Sequence, residues 1–436
     1  MILLNIRCGH LNFAMMIILC LTSIPSTFHN DPMTTTQLFK ERLQAYFKKK
    51  DLRQFPYDGQ YLEADSIEFF VAGAQLLSKL LTLIEQAKSS IIIHIYSLKE
   101  DDVGNTVIHA LARQAQNGVS VTLMTDAIGT NMLSPDRQAL CAQSGIEWVQ
   151  FNPPFDHSFV EAGRRAHHKL FLFDHTKIII GGFNLGSHYL GSPNNVWHDY
   201  GIYLESDQLY EIETAIKELQ HSNMITPFYK FAKPWLKPQM PFRILFQDGQ
   251  RGLRDISKRI THALKNAKEE ILIVSAYFFP DQYFLHLLSR ACKRGVKVTL
   301  VVSEQSDVSW VRWASFHFLE RILKNGSNVY TIHKNILHGK ALMVDQKWLT
   351  LGSYNFHFTS QFFNVEANIE TTDETVVENF RMNFFDTIIN KSTPMDAVSF
   401  NQQGNYFSRI RNFLAYQFGL ILYAFYTAHS KTRPLQ

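Results

Sequence analysis

Cysteine is scarce in this chain of 436 residues. There are four, Cys8, Cys20, Cys141 and Cys292. None falls in a Cys-x-x-Cys or Cys/His spacing, which excludes a zinc ribbon or a disulfide framework as the basis of the fold. Apolar runs of the roughly 20 residues needed to span a bilayer are missing as well. So is a strong charge of one sign: the formal net charge is +4. With no dense Lys/Arg stripe interleaved with aromatics, that balance argues against nucleic acid as the partner. Low-complexity tracts are absent, which excludes a largely disordered chain. Aromatic residues, by contrast, make up 13% of the sequence, with 34 Phe, as suits a large core or membrane-facing surfaces.

Two shorter apolar runs stand at the ends. Leu11 to Ile24 follows Arg7 and His10 and precedes Pro25 and Ser26. This is the shape of a secretory signal, and also of a short uncleaved anchor. Phe413 to Ala428 is flanked by Arg409 and Arg411 on one side and by Lys431 and Arg433 on the other. It reads either as a buried closing helix or as a helix lying at a membrane interface, with its cations suited to anionic headgroups.

Between the ends, one constellation occurs twice. His167, Lys169, Asp174, Gly181 and Asn184 are matched at identical spacings by His338, Lys340, Asp345, Gly352 and Asn355. With each residue type at about one position in twenty, five matches in register point to duplication. The repeat extends outward. The segment IIIHIYSL after Ala87-Lys88 pairs with ILIVSAYFF after Ala267-Lys268, and LARQAQNGVSVTLMTD (111–126) with LSRACKRGVKVTLVVS (288–303). In each of the latter pair a helix ends near a glycine, Gly118 or Gly295, and a Val/Thr/Leu strand follows.

This alternation, performed twice, predicts an α/β protein of two similar α/β/α lobes packed with pseudo-two-fold symmetry around one active site. The expected divisions are an N-terminal hydrophobic segment (1–30), a helical connector (31–66), a first lobe (67–236), a second lobe (237–390) and a C-terminal tail with an apolar helix (391–436). The proline-rich stretch 232–241 is the expected linker, and Lys48-Lys49-Lys50 a solvated face.

The residue types suggest phosphate chemistry. His and Lys alternate on an extended segment, so their side chains share a face. Lys supplies positive charge and Asn an amide donor, a pair suited to an anionic tetrahedral group. Imidazole can attack when neutral or donate a proton when charged. One copy cannot easily do both for one phosphodiester, whereas two facing copies can. Asp174 and Asp345, grouped with the catalytic motif, fall on the opposite face of the strand, where an orienting or folding role is expected. His168, His175, His188, His333 and His357 lack a convincing metal spacing and read as structural or surface residues. Ser353, opposite Gly182 in the other copy, offers a hydroxyl to a phosphate.

These motifs resemble the phospholipase D superfamily, defined by two HxKx4Dx6GxxN motifs, and within it the bacterial cardiolipin synthases. GGFNLGSHYL, Trp197-His198-Asp199, Asp126-Ala127-Ile128-Gly129, Tyr277-Phe278-Phe279-Pro280-Asp281 and GSYNFHFTSQFFNVEAN are similar to segments of that family, covering about residues 68–385. The resemblance implies a phosphatidyltransferase that forms cardiolipin from phosphatidylglycerol through a phosphohistidine, with no metal or other cofactor.

His167 would then be the nucleophile and His338 the general acid and base. Lys169, Lys340, Asn184 and Asn355 would hold the phosphate. Glu366, eleven residues after Asn355, would orient the second histidine, His338, and Asp199 the first, His167. Two departures stand out. His198 replaces the family's Arg, and Asn195 occupies the position where Glu366 would place an acid in the first copy. Partners implied are anionic phospholipids and a membrane surface. The expected location is the bacterial inner membrane, or the periplasm or exterior if the N-terminal segment is cleaved. A phospholipase D that hydrolyses phospholipids to phosphatidic acid, and a nuclease-type phosphodiesterase, are the alternatives.

Overall fold

The computed structural model describes residues 64–130, 132–153, 163–191, 197–220, 242–333, 336–395 and 406–430. The N-terminal apolar run, the Lys48–Lys50 stretch, Cys8, Cys20, Asn195 and the linker 232–241 lie outside these residues.

The first half runs β1 (Ser66–Val71), α1 (Ala74–Gln86), β2 (Ser90–Ile95), α2 (Asp102–Gln116), β3 (Ser120–Asp126), α3 (Pro135–Ser144), β4 (Glu147–Phe151), β5 (Leu170–Phe173), β6 (Lys177–Gly181), β7 (Tyr200–Glu205) and α4 (Tyr210–Leu219). The second runs β8 (Phe242–Asp248), β9 (Leu253–Arg254), α5 (Asp255–Asn266), β10 (Glu270–Ser275), α6 (Gln282–Lys293), β11 (Lys297–Ser303), α7 (Ser309–Lys324), β12 (Asn328–Ile332), β13 (Lys340–Val344), β14 (Trp348–Gly352), β15 (Val365–Thr371), β16 (Thr393–Met395) and α8 (Tyr406–Ser430). Helices of about a turn are left unlabelled, as is the helical run between β15 and β16 made of Glu374–Phe380, Arg381–Phe385 and Asp386–Asn390.

The duplication expected from the sequence is carried by the sheets. One has the order β1-β7-β6-β5-β2-β3-β4, the other β16-β12-β11-β10-β13-β14-β15-β8-β9. Reversing the first superposes β4-β3-β2-β5-β6-β7-β1 on β12-β11-β10-β13-β14-β15-β8, strand for strand. In both, the crossover strands pair in parallel (β2 with β3, β10 with β11) and the motif hairpin pairs antiparallel (β5 with β6, β13 with β14). Strands flanked by helices on their own chain must cross over in parallel, whereas those joined by three-residue turns cannot. Gly118 and Gly295 sit at φ +91° and +88° just past α2 and α6, the left-handed geometry that ends a helix at little cost to glycine.

The two sheets share one core. Leu170, Ile180 and Ile202 from the first pack in the same buried cluster as Met343, Leu351 and Ala367 from the second. A buried ion pair also joins the halves: the Arg164 guanidinium lies 2.6 Å from the Asp248 carboxylate, both almost fully enclosed.

The two motif aspartates belong to this framework. Asp174 accepts hydrogen bonds from the backbone N–H groups of Lys88 (2.9 Å), Ser89 (2.7 Å) and Ser90 (3.1 Å). Asp345 accepts from Lys268 (2.9 Å), Glu269 (2.8 Å) and Glu270 (2.9 Å). Each pins the motif hairpin to the turn that enters the neighbouring strand. The hairpin tips need left-handed backbone at two successive residues, Asp174/His175 (φ 48° and 62°) and Asp345/Gln346 (φ 53° and 55°). Grouping these aspartates with the catalytic residues is therefore corrected: they are folding residues, as their place on the opposite face suggested. Burial works against the Asp174 charge, but its backbone donors hold the carboxyl below its usual range. Asp174→Ala is expected to cost about 2 kcal/mol of stability by orphaning three donors. The check is equilibrium urea unfolding, with turnover per folded molecule changing by less than a few-fold.

The helix α8 spans the C-terminal apolar run. Ala415, Gly419 and Leu422 face inward, and Tyr416 stacks on His317 of α7 with 4.5 Å between ring centroids. Gly419 is pressed against the Phe279 ring, where a Cβ would collide. Phe407, Ile410, Phe413, Leu414 and Ile421 are exposed. The helix is thus part core element and part apolar surface. Among the described residues, no helix is long and apolar enough to cross a membrane.

Candidate active site

Both motifs arrive at the seam between the lobes, and each arrives bonded to the opposite one. Ala166 forms an isolated parallel bridge with Val365, and His198 one with Leu337. The Val365 N–H donates to Arg165 O at 2.8 Å, and the N–H groups of His338 and Gly339 donate to His198 O at 2.7 and 2.9 Å. The next residue along each strand therefore meets its counterpart from the other lobe: His167 meets Glu366, and His338 meets Asp199.

This reverses the expected pairing. His167 Nδ1 lies 2.9 Å from Glu366 Oε2, and His338 Nδ1 lies 2.5 Å from Asp199 Oδ2. The two carboxylates are equivalent, as inferred. Asp199 stands two residues before Gly201, the partner of Gly181, and Glu366 two before Asn368, the partner of Gly352. The insertion at 191–196 displaces Asp199 in sequence but not in register. Each acid, however, serves the histidine of the other copy.

The second-copy acid is held by more bonds. Glu366 accepts from Ser353 Oγ (2.5 Å), Ser360 Oγ (2.6 Å) and Asn364 Nδ2 (3.1 Å). Asp199 accepts from the Tyr200 N–H at 2.8 Å and lies 3.8 Å from Lys340 Nζ. Ser353 is fully buried and spends its hydroxyl on Glu366, which corrects its assignment to the phosphate. At the equivalent Gly182 the Asp199 carboxylate occupies the space a Cβ would fill. The Gly/Ser difference thus reflects how each acid is seated.

Electrostatics follow from the enclosure. Burial, opposed by Glu366, lowers the His167 pKa, and burial with Lys340, opposed by Asp199, takes His338 down to about 4. Despite burial, the charges and hydrogen bonds around Glu366, His167 first, bring it to about 2. Asp199 is likewise held low by Lys340 and His338 against burial. Both shifts favour the neutral imidazole. Their Nδ1–H groups donate to ionised carboxylates, and that tautomer leaves the Nε2 lone pairs available.

Burial also depresses both lysines, Lys169 to about 7. Each donates to the carbonyl of its own motif histidine, Lys169 at 2.5 Å. The two ammonium groups repel one another across the seam, an arrangement that an incoming phosphate anion relieves. Asn184 donates to the Tyr189 hydroxyl at 3.2 Å and accepts from the Ser97 N–H. Asn355 is buried, with no hydrogen-bond partner for its Oδ1 among the described residues.

The other histidines are structural or peripheral, as expected. His168 is buried against His94 (3.0 Å), and burial lowers its pKa to about 3. His357 caps the short helix Phe358–Phe362. His175 and His333 pair with Glu213 and Glu304. His188 stands against Trp197, with 5.4 Å between ring centroids. His198 turns its ring to the Tyr200 hydroxyl (3.2 Å), so its backbone carbonyl is what serves the site.

The sequence argument missed an aromatic wall. Tyr96 packs edge-on to His167 at 5.1 Å, and Tyr189, Trp197 and Tyr277 stand 5.2, 5.5 and 5.8 Å from His338. The signal was present: Tyr96 and Tyr277 follow β2 and β10, equivalent strands of the repeat. Asp126 was noted only as part of a turn. Its carboxylate accepts from the N–H of Ala166 at 2.9 Å and pairs with Arg165, fixing the approach to His167.

A duplicated α/β fold with two crossed His–carboxylate pairs and two lysines at one seam defines an enzyme of the phospholipase D type. A sequence profile described as "Cardiolipin synthase, PLD-like domain" matches residues 80–217 and 260–388, more than half of the chain, and the chain belongs to that family. It is 27% identical over 349 residues to "Cardiolipin synthase B" of Salmonella typhi, covering 77% of this chain and 83% of that protein. It is 25% identical over 353 residues to "Cardiolipin synthase" of Clostridium perfringens (strain 13 / Type A), covering 78% and 74% respectively. Among solved structures, phosphatidylserine synthase of Haemophilus influenzae superposes with a TM-score of 0.70 at 14% identity, covering 88% of this chain and 99% of that one. That likeness establishes the fold. The protein is a phospholipase D-type phosphatidyltransferase.

Proposed function

We propose that the protein forms cardiolipin from phosphatidylglycerol through a covalent phosphohistidine. The observation that carries this reading is the pair of imidazoles, each with Nδ1 committed to a buried carboxylate of the other lobe. His167 Nε2 attacks the phosphorus of one phosphatidylglycerol, forming a P–N bond as the P–O bond to the headgroup glycerol breaks. His338 gives that oxygen its proton. That proton is taken up from solvent at His338 Nε2 when substrate binds, because the phosphate's negative charge raises the His338 pKa. A headgroup hydroxyl of a second phosphatidylglycerol then attacks phosphorus, the P–N bond breaks, and His338 takes back the proton. Lys169, Lys340, Asn184 and Asn355 hold the phosphoryl oxygens throughout.

The reaction takes place at an anionic bilayer surface, in keeping with the inner-membrane location that the resemblance implies. On an ideal helix, Phe413, Ile410, Ile421, Leu414 and Phe407 of α8 span an arc of about 120°, with Arg409 beyond one margin and Arg411 beyond the other. Arginines bordering an exposed apolar arc suit anionic headgroups above acyl chains.

Purified protein incubated with phosphatidylglycerol vesicles is expected to float with them and to yield cardiolipin and glycerol in equal amounts. Phosphatidic acid as the only lipid product would establish hydrolysis and overturn the synthase reading.

A further inference from the structure

One carboxylate at the site is used by neither histidine. Asp307 lies in the turn between β11 and α7, exposed to solvent. Its Oδ1 accepts from the Tyr277 hydroxyl at 2.5 Å, and the ring of Tyr277 stands perpendicular to His338 at 5.8 Å. Asp307 is therefore one tyrosine ring away from the second histidine. Its charge acts on Tyr96 and Tyr189 of the first lobe as well as on His338 and Lys340 of the second.

A carboxylate there is a poor neighbour for the phosphate. It carries the same sign of charge and has no proton to donate. Asp199 and Glu366 avoid that conflict by being buried behind the imidazoles, whereas Asp307 is exposed to solvent. The part of the substrate it can favour is the part that donates hydrogen bonds. Tyr277 occupies one oxygen and fixes the carboxylate's position, leaving acceptor capacity directed to solvent at the mouth. The rings of Tyr96, Tyr189 and Tyr277 give that mouth apolar walls, and a hydrogen bond made there gains strength from the reduced access of water.

We infer that Asp307, held by Tyr277, selects the acceptor: it binds a hydroxyl of a polyol headgroup neighbouring the one that attacks the phosphoryl group. This rests on the phosphatidyltransferase reading given above. It supplies what that reading leaves open, namely how an alcohol is preferred to water at the second step. Water can attack the phosphoryl group but cannot also occupy Asp307. A 1,2-diol can do both, which positions the attacking oxygen and raises its effective concentration.

The test uses the full-length protein, phosphatidylglycerol vesicles as donor and soluble alcohols as competing acceptors. Formation of the new phosphatidyl alcohol is compared for deuterium-labelled glycerol, 1-propanol and ethanolamine, the label distinguishing exchanged phosphatidylglycerol from the donor. Wild type is expected to use glycerol at least about tenfold better than 1-propanol, and Asp307→Asn to reduce that ratio about tenfold. Tyr277→Phe, which frees the carboxylate without removing it, is expected to reduce it about threefold. Asp307→Ala provides a second variant should the amide distort the turn, and thermal unfolding confirms that each variant is folded.

A glycerol-to-propanol ratio unchanged in both Asp307 variants, in a protein that still releases glycerol from phosphatidylglycerol, overturns the inference alone. A wild-type preference for ethanolamine over glycerol that disappears in Asp307→Asn overturns the polyol assignment in favour of an ammonium headgroup. A wild type that releases no headgroup from any phosphatidyl donor overturns the proposed function, and this inference with it.

Discussion

Alanine at His167 or at His338 is expected to reduce cardiolipin formation by about four orders of magnitude or more in either case, because residues acting as one unit are not additive. The two losses differ in kind. Without His167 there is no nucleophile. Without His338 the nucleophile survives, still oriented by Glu366, but the departing glycerol oxygen receives no proton. A donor whose leaving group needs none separates the cases. With a phosphatidyl ester of p-nitrophenol, His338→Ala is expected to release about one equivalent of p-nitrophenolate per site in a rapid burst and then stall, since the second alcohol finds no base. His167→Ala should give no burst. The opposite pattern would exchange the roles of the histidines, and sustained turnover of phosphatidylglycerol by either variant would refute the two-histidine site.

Glu366→Gln and Asp199→Asn are expected to lower turnover by about 10²- to 10⁴-fold, through loss of the carboxylate that fixes the imidazole tautomer and stabilises the imidazolium. Because the pairs are crossed, each substitution should reproduce, more weakly, the loss of the histidine in the other copy. Glu366→Gln acts on His167 and should slow the p-nitrophenolate burst. Asp199→Asn acts on His338 and should leave that burst largely intact while turnover of phosphatidylglycerol fails. A burst lost with Asp199→Asn and kept with Glu366→Gln would mean that each acid serves its own copy.

Much of this was legible in the sequence. The duplicated motif identified the two histidines, the two lysines and the α/β alternation, because spacing along a strand is a local property that repeats with the backbone. Asp174 and Asp345 were suspected of a folding role from strand alternation alone, and their bonds to the turns at 88–90 and 268–270 are that role. Asp199 was named as a counterpart of Glu366 despite the insertion before it, and strand register restores that equivalence.

Other features could not be read this way. Ser353 looked like a phosphate donor because its neighbour in the motif, Asn355, was one. Whether its hydroxyl meets a phosphate or Glu366 depends on β15, which lies beside it only in the folded sheet. Asp307 has no counterpart in the repeated motif, and its relevance rests on a bond to Tyr277 from an adjacent strand end. The sequence by itself determined which residue types recur and that they come in two sets, since residue types and spacings are written along the chain. Which acid serves which histidine was decided only by the tertiary structure. His167 and Glu366 are 199 residues apart, His338 and Asp199 are 139 apart, and nothing local links them. The bridges from Ala166 to Val365 and from His198 to Leu337 bring them together, and those form only when the two lobes close on a common core.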